Sequence, residues 1–320
     1  MIAPVLIVDY DPAWPGRFDR ERELVERLLG REALGIEHVG STAVAGLAAK
    51  PTVDIIVGLR DEQTADRVLP VLAGGGFTDA TPCPERPDWY YCVGKGRRPH
   101  DVHMHLAKHG GPFWERHLLF RDSLRAEPDT AAAYASLKRL LARRFGSDRQ
   151  GYCAAKTGFI RWVEVRARGV SIRRMTGDDV GRLYRVFRCW GKERIRYQRY
   201  LLQQQRGERV VLVAMAGDEP AGYGSVVWRS GYEPFRAAGV PEVVDLNVID
   251  EFQRRGIATA IIHLAEREVA ATGRAAVGIS VVQSPEYRAA NTLYPRLGYV
   301  PDGRGITEHD NELHLVKRLA

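Results

Sequence analysis

Cysteine is scarce in this chain, with four among 320 residues: Cys83, Cys92, Cys153 and Cys189. None stands close to another in sequence, so neither a disulfide framework nor a zinc knuckle is indicated. Long apolar runs are missing as well. Stretches such as Val210–Ala216 fall far short of the roughly 20 residues needed to cross a bilayer, so no membrane association is expected. Met1 leads into a short apolar stretch with no basic flank, so no signal peptide is expected and a cytoplasmic, reducing location is. Internal repeats and low-complexity segments are absent too, which excludes solenoids and disordered arrays.

Charge of one sign is also lacking. The net charge is +7 and the pI about 9.3, but residues 1–168 carry 25 basic and 22 acidic side chains and the remainder 22 and 18. Such an even spread, interleaved with apolar positions in Lys138–Arg144 and Arg182–Arg199, is that of solvated helix faces. It gives diffuse attraction to polyanions. No recognition motif accompanies it, so no specific nucleic-acid partner is expected.

What the chain has is enough length for two domains. The clearest boundary is Ala167–Val170, where a helical pattern stops at Gly169 and a strand begins, giving domains 1–168 and 170–320. The first reads as helix 16–29, strands near 35–39 and 52–58, helix 61–73, strands near 88–93 and 100–106, and three helices to 167. The second opens with strand 170–175. Thr176-Gly-Asp-Asp179 then has the capping-box form, with helical turns following to about Arg206. Val210–Ala216 and Ala221–Trp228 form a hairpin about Gly217-Asp-Glu-Pro220. Strand 242–248, helix 256–272, strand 276–282, helix 286–297 and a strand near 311–318 complete an α/β unit.

The most informative stretch is LNVIDEFQRRGIATAIIHLAEREV. A strand ends at Val248, and Gln253-Arg-Arg-Gly-Ile-Ala258 opens a helix whose apolar positions Ile257, Ile261, Leu264, Ala265 and Val269 keep helical spacing. A helix start carries unpartnered N–H groups and partial positive charge, and Gly256 and Ala258 leave it bare enough for a diphosphate, with Arg254 and Arg255 alongside. After strand Val277–Val282 comes a helix with Asn291 and Tyr294, then Leu297-Gly298-Tyr299. The two motifs in this order resemble the GCN5-related N-acetyltransferase (GNAT) superfamily over nearly all of 170–320.

That resemblance implies a splayed mixed sheet, acetyl-CoA as acetyl donor and direct transfer to a primary amine. It assigns the backbone of Leu246, Asn247 and Val248 to the pantetheine amides. Gln253, Arg254, Arg255, Gly256, Ile257, Ala258 and Thr259 form the diphosphate loop, and Asn291 contacts the pantetheine arm. Tyr294 protonates the leaving thiolate, a task suited to a phenol of pKa near 10. For the general base, Glu242 and Asp245 precede the cofactor strand, and strand alternation sets them on opposite faces. His263, well inside its helix, reads as exposed. The acceptor pocket is expected from segments 185–206 and 229–242, which bring Trp190, Tyr197, Tyr200, Tyr232 and Phe235. Arg185, Arg188, Lys192, Arg194, Arg196 and Arg199 make the first segment basic, whereas Asp302, Glu308, Asp310 and Glu312 form an acidic tail loop. This balance favours an acceptor with one or few charges, a small molecule or peptide amine, over a polycationic aminoglycoside.

Residues 37–57, EHVGSTAVAGLAAKPTVDIIV, resemble the GrpB family, related in fold to nucleotidyltransferases of the polymerase-β type. Tyr10-Asp-Pro-Ala-Trp14, Val102-His-Met-His-Leu106 and Trp114–Asp122 extend the likeness over most of 1–167. The expected fold class is thus α/β (α+β): a nucleotidyltransferase-like mixed-sheet domain followed by a GNAT domain. Working nucleotidyltransferases pair a phosphate-gripping Gly-Ser with two strand carboxylates, two residues apart, that hold divalent metal. Gly40-Ser41 and Asp54 fit, but Ile56 stands at the second carboxylate position. His103 and His105 share a strand face and complete an expected ligand site, with Lys50 near a phosphate and a divalent metal as its cofactor. Ligand binding without nucleotidyl transfer follows. The rival readings are a bifunctional enzyme and a recruitment module that presents a partner for acetylation.

Overall fold

The computed structural model describes residues 4–83, 87–96, 100–307 and 309–319. The chain divides between Arg149 and Gln150 into two units, each with its own sheet.

The first unit contains α1 (Trp14–Leu29), β1 (Gly35–Val39), β2 (Val53–Leu59), α2 (Glu62–Gly74), β3 (Phe77–Pro82), β4 (Trp89–Lys95), β5 (Val102–Lys108), α3 (Pro112–Ala126) and α4 (Pro128–Phe145). Its sheet runs β1-β2-β5-β4-β3, parallel between β2 and β5 and antiparallel elsewhere. β2 is apolar on both faces because both are covered. Ile55, Val57 and Leu59 join Trp14, Val25 and Leu72 of α1 and α2, while Ile56 packs with Val39, Phe113 and Trp114. Strand β3 was not expected; its FTDATP sequence has little alternation and ends on proline.

The rest of the chain forms α5 (Arg149–Ala167), β6 (Val170–Arg174), α6 (Asp179–Phe187), α7 (Arg194–Gln205), β7 (Arg209–Ala216), β8 (Glu219–Val227), α8 (Glu233–Ala237), β9 (Glu242–Val248), α9 (Ile257–Ala270), β10 (Ala276–Val282), α10 (Arg288–Arg296), β11 (Val300–Ile306) and β12 (Glu312–Arg318). The sheet order is β11-β12-β10-β9-β8-β7-β6. Period-two alternation divides its apolar side chains between two layers. Leu212, Val226, Val243 and Ile279 pack on α9, and Val211, Val213 and Tyr223 on α6 and α7. The capping sequence works only in part: Asp179 accepts from the Thr176 backbone N–H at 2.8 Å and from its hydroxyl at 3.0 Å, but that hydroxyl donates instead of accepting from the Asp179 N–H, and α6 starts at Asp179 with Asp178 at its N-cap. The sequence sets the domain boundary at 168–170, where β6 does begin. α5 nevertheless packs with the second unit, Trp162 and Val165 lying in the core around α9. β11 holds a proline and two left-handed glycines, Gly303 and Gly305, which read as turn rather than strand.

Candidate active site

Only one pair of strands in the second sheet is parallel, and it separates almost at once. β9 and β10 are in register at Gly278↔Glu242 and Ile279↔Val243 alone. Beyond Val243 the backbone of Val244, Asn247 and Val248 pairs toward β8, with Leu246 in the irregular stretch between them, leaving an edge inside the sheet. An extended amide-bearing chain can add there as a strand would. At the end of this edge Gly256, with φ of 90°, caps α9 without any side-chain hydrogen bond. The first N–H groups of α9, on Ile257, Ala258 and Thr259, have no partner within the helix, an arrangement that suits an anion. Arg254 is left-handed too, with φ of 60°, and Arg255 lies over the Phe252 ring at 5.1 Å. Gln253 donates to the Val248 carbonyl at 3.1 Å and to Asp250 at 2.7 Å, bracing the loop. An open strand edge leading to an uncapped helix start fits the pantetheine and diphosphate of coenzyme A.

A cleft of about 900 Å³ lies beside that edge, lined among others by Glu242, Asp245, Ser280, Tyr294 and His314. Glu242 is 5% exposed and accepts from the Ser230 hydroxyl at 2.6 Å. Burial pushes its carboxyl above the usual range, with the Ser230 bond and the field of His314 opposing. Tyr294 is buried, and burial raises its phenol to about 12, so it holds its proton at neutral pH. The expectation that Glu242 and Asp245 face opposite ways fails. β9 bulges against β8 between Ser225 and Tyr223, and Asp245 takes a left-handed φ of 56°. Arg209, Val227 and Glu242 are cross-strand partners on one face. Asp245 bonds to Arg209 at 3.2 Å and to Tyr200 at 2.6 Å on that same side. With Arg196 at 3.7 Å, its oxygens are occupied in tying α7 to the sheet.

Asn291, assigned to the pantetheine arm by the resemblance, is engaged within the chain. It donates to the carbonyls of Val282 and Tyr287, both at 3.1 Å, and accepts from Gln283 at 2.6 Å. It fixes the end of β10. Lys192 donates to Asn247 Oδ1 at 2.9 Å, and burial pulls its pKa down. Among the aromatics, Tyr197, Tyr200 and Phe235 are core, Trp190 is 41% exposed, and Tyr232 stacks on His314 at 3.6 Å. Glu308 of the acidic tail loop lies outside the described residues.

In the first unit Gly40 has φ of 71°, and a Cβ there would meet Asp54 Oδ2 at 2.5 Å. Glycine alone lets the carboxylate and the loop meet. Ser41 accepts from Lys138 Nζ at 2.7 Å, and Lys138 also donates to the Ala48 carbonyl. Arg121 and Arg125 hold the carbonyls of His38 and Ala43. His103 stands 3.7 Å from Asp54. Burial raises the Asp54 carboxyl, but the bond from His103 and the fields of His105, His103 and Lys50 bring it below the ordinary carboxylate range. Lys50 and His103 line a cavity of about 170 Å³. His105 does not join them. It lies in a box of Trp89, Phe113 and His117, its ring pushed down to about 4 by burial. Among the described residues, no three His, Cys, Asp or Glu side chains gather to hold an ion.

The family model described as GrpB protein matches residues 4–166, half of the chain. The chain belongs to the GrpB family. The model of the acetyltransferase (GNAT) family matches residues 179–299, so the second half is a GNAT domain and the chain an N-acetyltransferase. A UPF0157 protein of Halalkalibacterium halodurans is 37% identical over 166 residues, covering 52% of this chain and 83% of its own length. A dephospho-CoA kinase of Mycolicibacterium paratuberculosis is 31% identical over 188 residues, 52% of this chain and 46% of that protein. The crystal structure of GrpB from Enterococcus faecalis is 30% identical, with a TM-score of 0.46, over 51% of this chain and 96% of that one.

Several residues of the GNAT domain escaped the sequence reading. His314 carried a usable signal, being two residues from the already named Glu312 on the last strand and so on its face; Ser230 and Arg209 carried none. His263 is corrected. It is not exposed but packed against α5, where a Gly158 side chain would meet its ring at 2.9 Å. Burial lowers its pKa to about 3. In the GrpB module Lys138, nearly a hundred residues from Ser41, was invisible for the same reason of distance.

Proposed function

We propose that the GNAT domain moves the acetyl group of acetyl-CoA directly to a primary amine of a small molecule or peptide, with Glu242 as base and Tyr294 as acid. The observation that carries this is the shared cleft: a buried, proton-seeking carboxylate and a proton-holding phenol line the same space beside the open edge of β9. Acetyl-CoA supplies the activated acyl carbon. Glu242 takes the proton from the acceptor ammonium, and Tyr294 Oη presents one to the departing sulfur. Asp245 positions α7 rather than acting as base, because its oxygens are already held by Tyr200 and Arg209. Screening amines and peptides for release of free CoA by the full chain tests the reading and identifies the acceptor class. No acetyl-CoA binding by calorimetry overturns it.

As functional modules we retain 1–168 and 170–320. For the GrpB module we infer ligand binding through Gly40, Ser41, Lys50, Asp54 and His103, without nucleotidyl transfer. Ile56 is fully buried in an apolar cluster where transfer chemistry needs a second metal-holding carboxylate. Mycobacterial proteins named dephospho-CoA kinase match about half of this chain, and its GNAT domain uses acetyl-CoA. This supports the adenine-nucleotide portion of CoA as the ligand class. Titrating the chain with CoA, dephospho-CoA and ATP, and repeating with Asp54→Asn and Lys50→Ala, tests it. Pyrophosphate release from a labelled nucleoside triphosphate with Mg²⁺ or Mn²⁺, lost in Asp54→Asn, establishes the bifunctional reading instead.

A further inference from the structure

The diphosphate loop has a neighbour that lies outside the GNAT match. α5 lies within the stretch matched by the GrpB model, yet it packs beside α9 inside the second unit. Gly158 and Phe159 face His263 two turns into α9, and Arg161 faces the start of that helix. The Cδ of Arg161 is 3.0 Å from where a Gly256 Cβ would stand, so its stem crosses the left-handed residue at the loop's apex. One guanidinium nitrogen, Nη1, donates at 2.7 Å to Glu164, a carboxylate 1% exposed. That bond fixes the arm of Arg161, whose side chain retains 23% of its exposure. Arg168, just past the end of α5, and Arg255 of the loop line one cavity of about 150 Å³ with Phe252 and Ile257.

We propose that Arg161 is a diphosphate-binding residue of the acetyltransferase, supplied by the helix that the GrpB match contains. The proposal rests on the acetyl-CoA site described above. Guanidinium suits the task because it presents several N–H donors in one plane, and Glu164 engages only part of that fork. Coenzyme A brings a diphosphate and a further phosphate to a helix start that offers backbone N–H groups and partial charge. A guanidinium whose stem lies against the apex and whose arm is already ordered by Glu164 adds N–H donors to this at less cost than ordering a free side chain. The pairing also accounts for Gly256 by a second route: a side chain there is strained by its φ of 90° and meets Arg161.

The test uses the full chain and two donors, acetyl-CoA and S-acetylpantetheine, the second lacking every phosphate. Arg161→Gln is expected to weaken acetyl-CoA by on the order of tenfold or more while leaving S-acetylpantetheine unchanged. Arg161→Lys is expected to recover part of the loss, and the salt dependence of acetyl-CoA binding to become shallower. Because Arg161→Gln removes an ion pair from a buried carboxylate, the double variant Arg161→Gln/Glu164→Gln is measured beside it, with thermal melting as the folding control. Equal weakening of both donors shows a packing role and overturns the proposal, as does unchanged acetyl-CoA affinity in both variants. Failure of the unaltered chain to bind acetyl-CoA instead removes the cofactor site itself, an outcome separate from either.

Discussion

At the scale of single residues the acid and the base make opposite demands on their surroundings, and burial meets both. Tyr294 must keep its proton until the sulfur leaves, and a phenol raised to about 12 does so. Tyr294→Phe is expected to lower single-turnover rates by about 10²–10⁴ with acetyl-CoA affinity nearly intact. Glu242 must be ionised to act, and its raised pKa sets where that begins. Turnover should fall as pH drops through a value above the ordinary carboxylate range. Glu242→Gln removes that limb, while Asp245→Asn lowers the rate but leaves the limb in place; the reverse result exchanges their roles. The sequence named all three side chains, yet it mis-set Asp245. Alternation holds for a regular strand, and the bulge that turns Asp245 toward Arg209 arises from pairing with β8, which no local pattern records.

At the scale of elements most helices and strands were legible because their apolar periods are unbroken. β9 and β10 have the expected bounds, and most others differ by one to three residues. β11 was not, since an edge strand with Pro301, Gly303 and Gly305 has no side-chain pattern to read. α5 was legible as a helix but not as a partner of α9, because packing between elements leaves no mark in either period. This alters what a fragment can do. Residues 150–320 should fold and bind acetyl-CoA. Residues 170–320 lack Trp162 and Val165 and leave His263 uncovered, so they should melt lower or aggregate. Differential scanning calorimetry of the two fragments decides; equal melting temperatures make α5 dispensable.

At the scale of the whole molecule the protein stores neutral imidazoles. Burial holds His38 and His105 near 4 and His117 and His263 near 3, against 6.5 for an ordinary histidine. Each stays neutral in the fold but takes up a proton in the unfolded chain once pH is below about 6.5. The unfolded state then binds more protons, so stability falls as pH drops from about 6.5 toward 4, by about 1.4 kcal/mol per pH unit for each group. Three of the four belong to the GrpB module, which should unfold first on acidification. Urea midpoints at pH 7 and pH 5, followed by tryptophan fluorescence, check this; midpoints that do not move show that these rings charge in place.

The early parting of β9 from β10 reaches beyond the chemistry. Among the described residues, two register positions are the whole strand ladder between β11, β12 and β10 on one side and β9, β8, β7 and β6 on the other. A seam so short makes β10, β12 and β11 a natural unit of local opening, held meanwhile by side chains beneath α9 and α10. A ligand lying along the free edge of β9 supplies the rungs that the chain omits. Amide hydrogen exchange along Val244–Val248 should therefore slow sharply on loading, and with it the opening of strands the ligand never touches. Occupancy of the donor site would then act as a clasp on the C-terminal part of the domain.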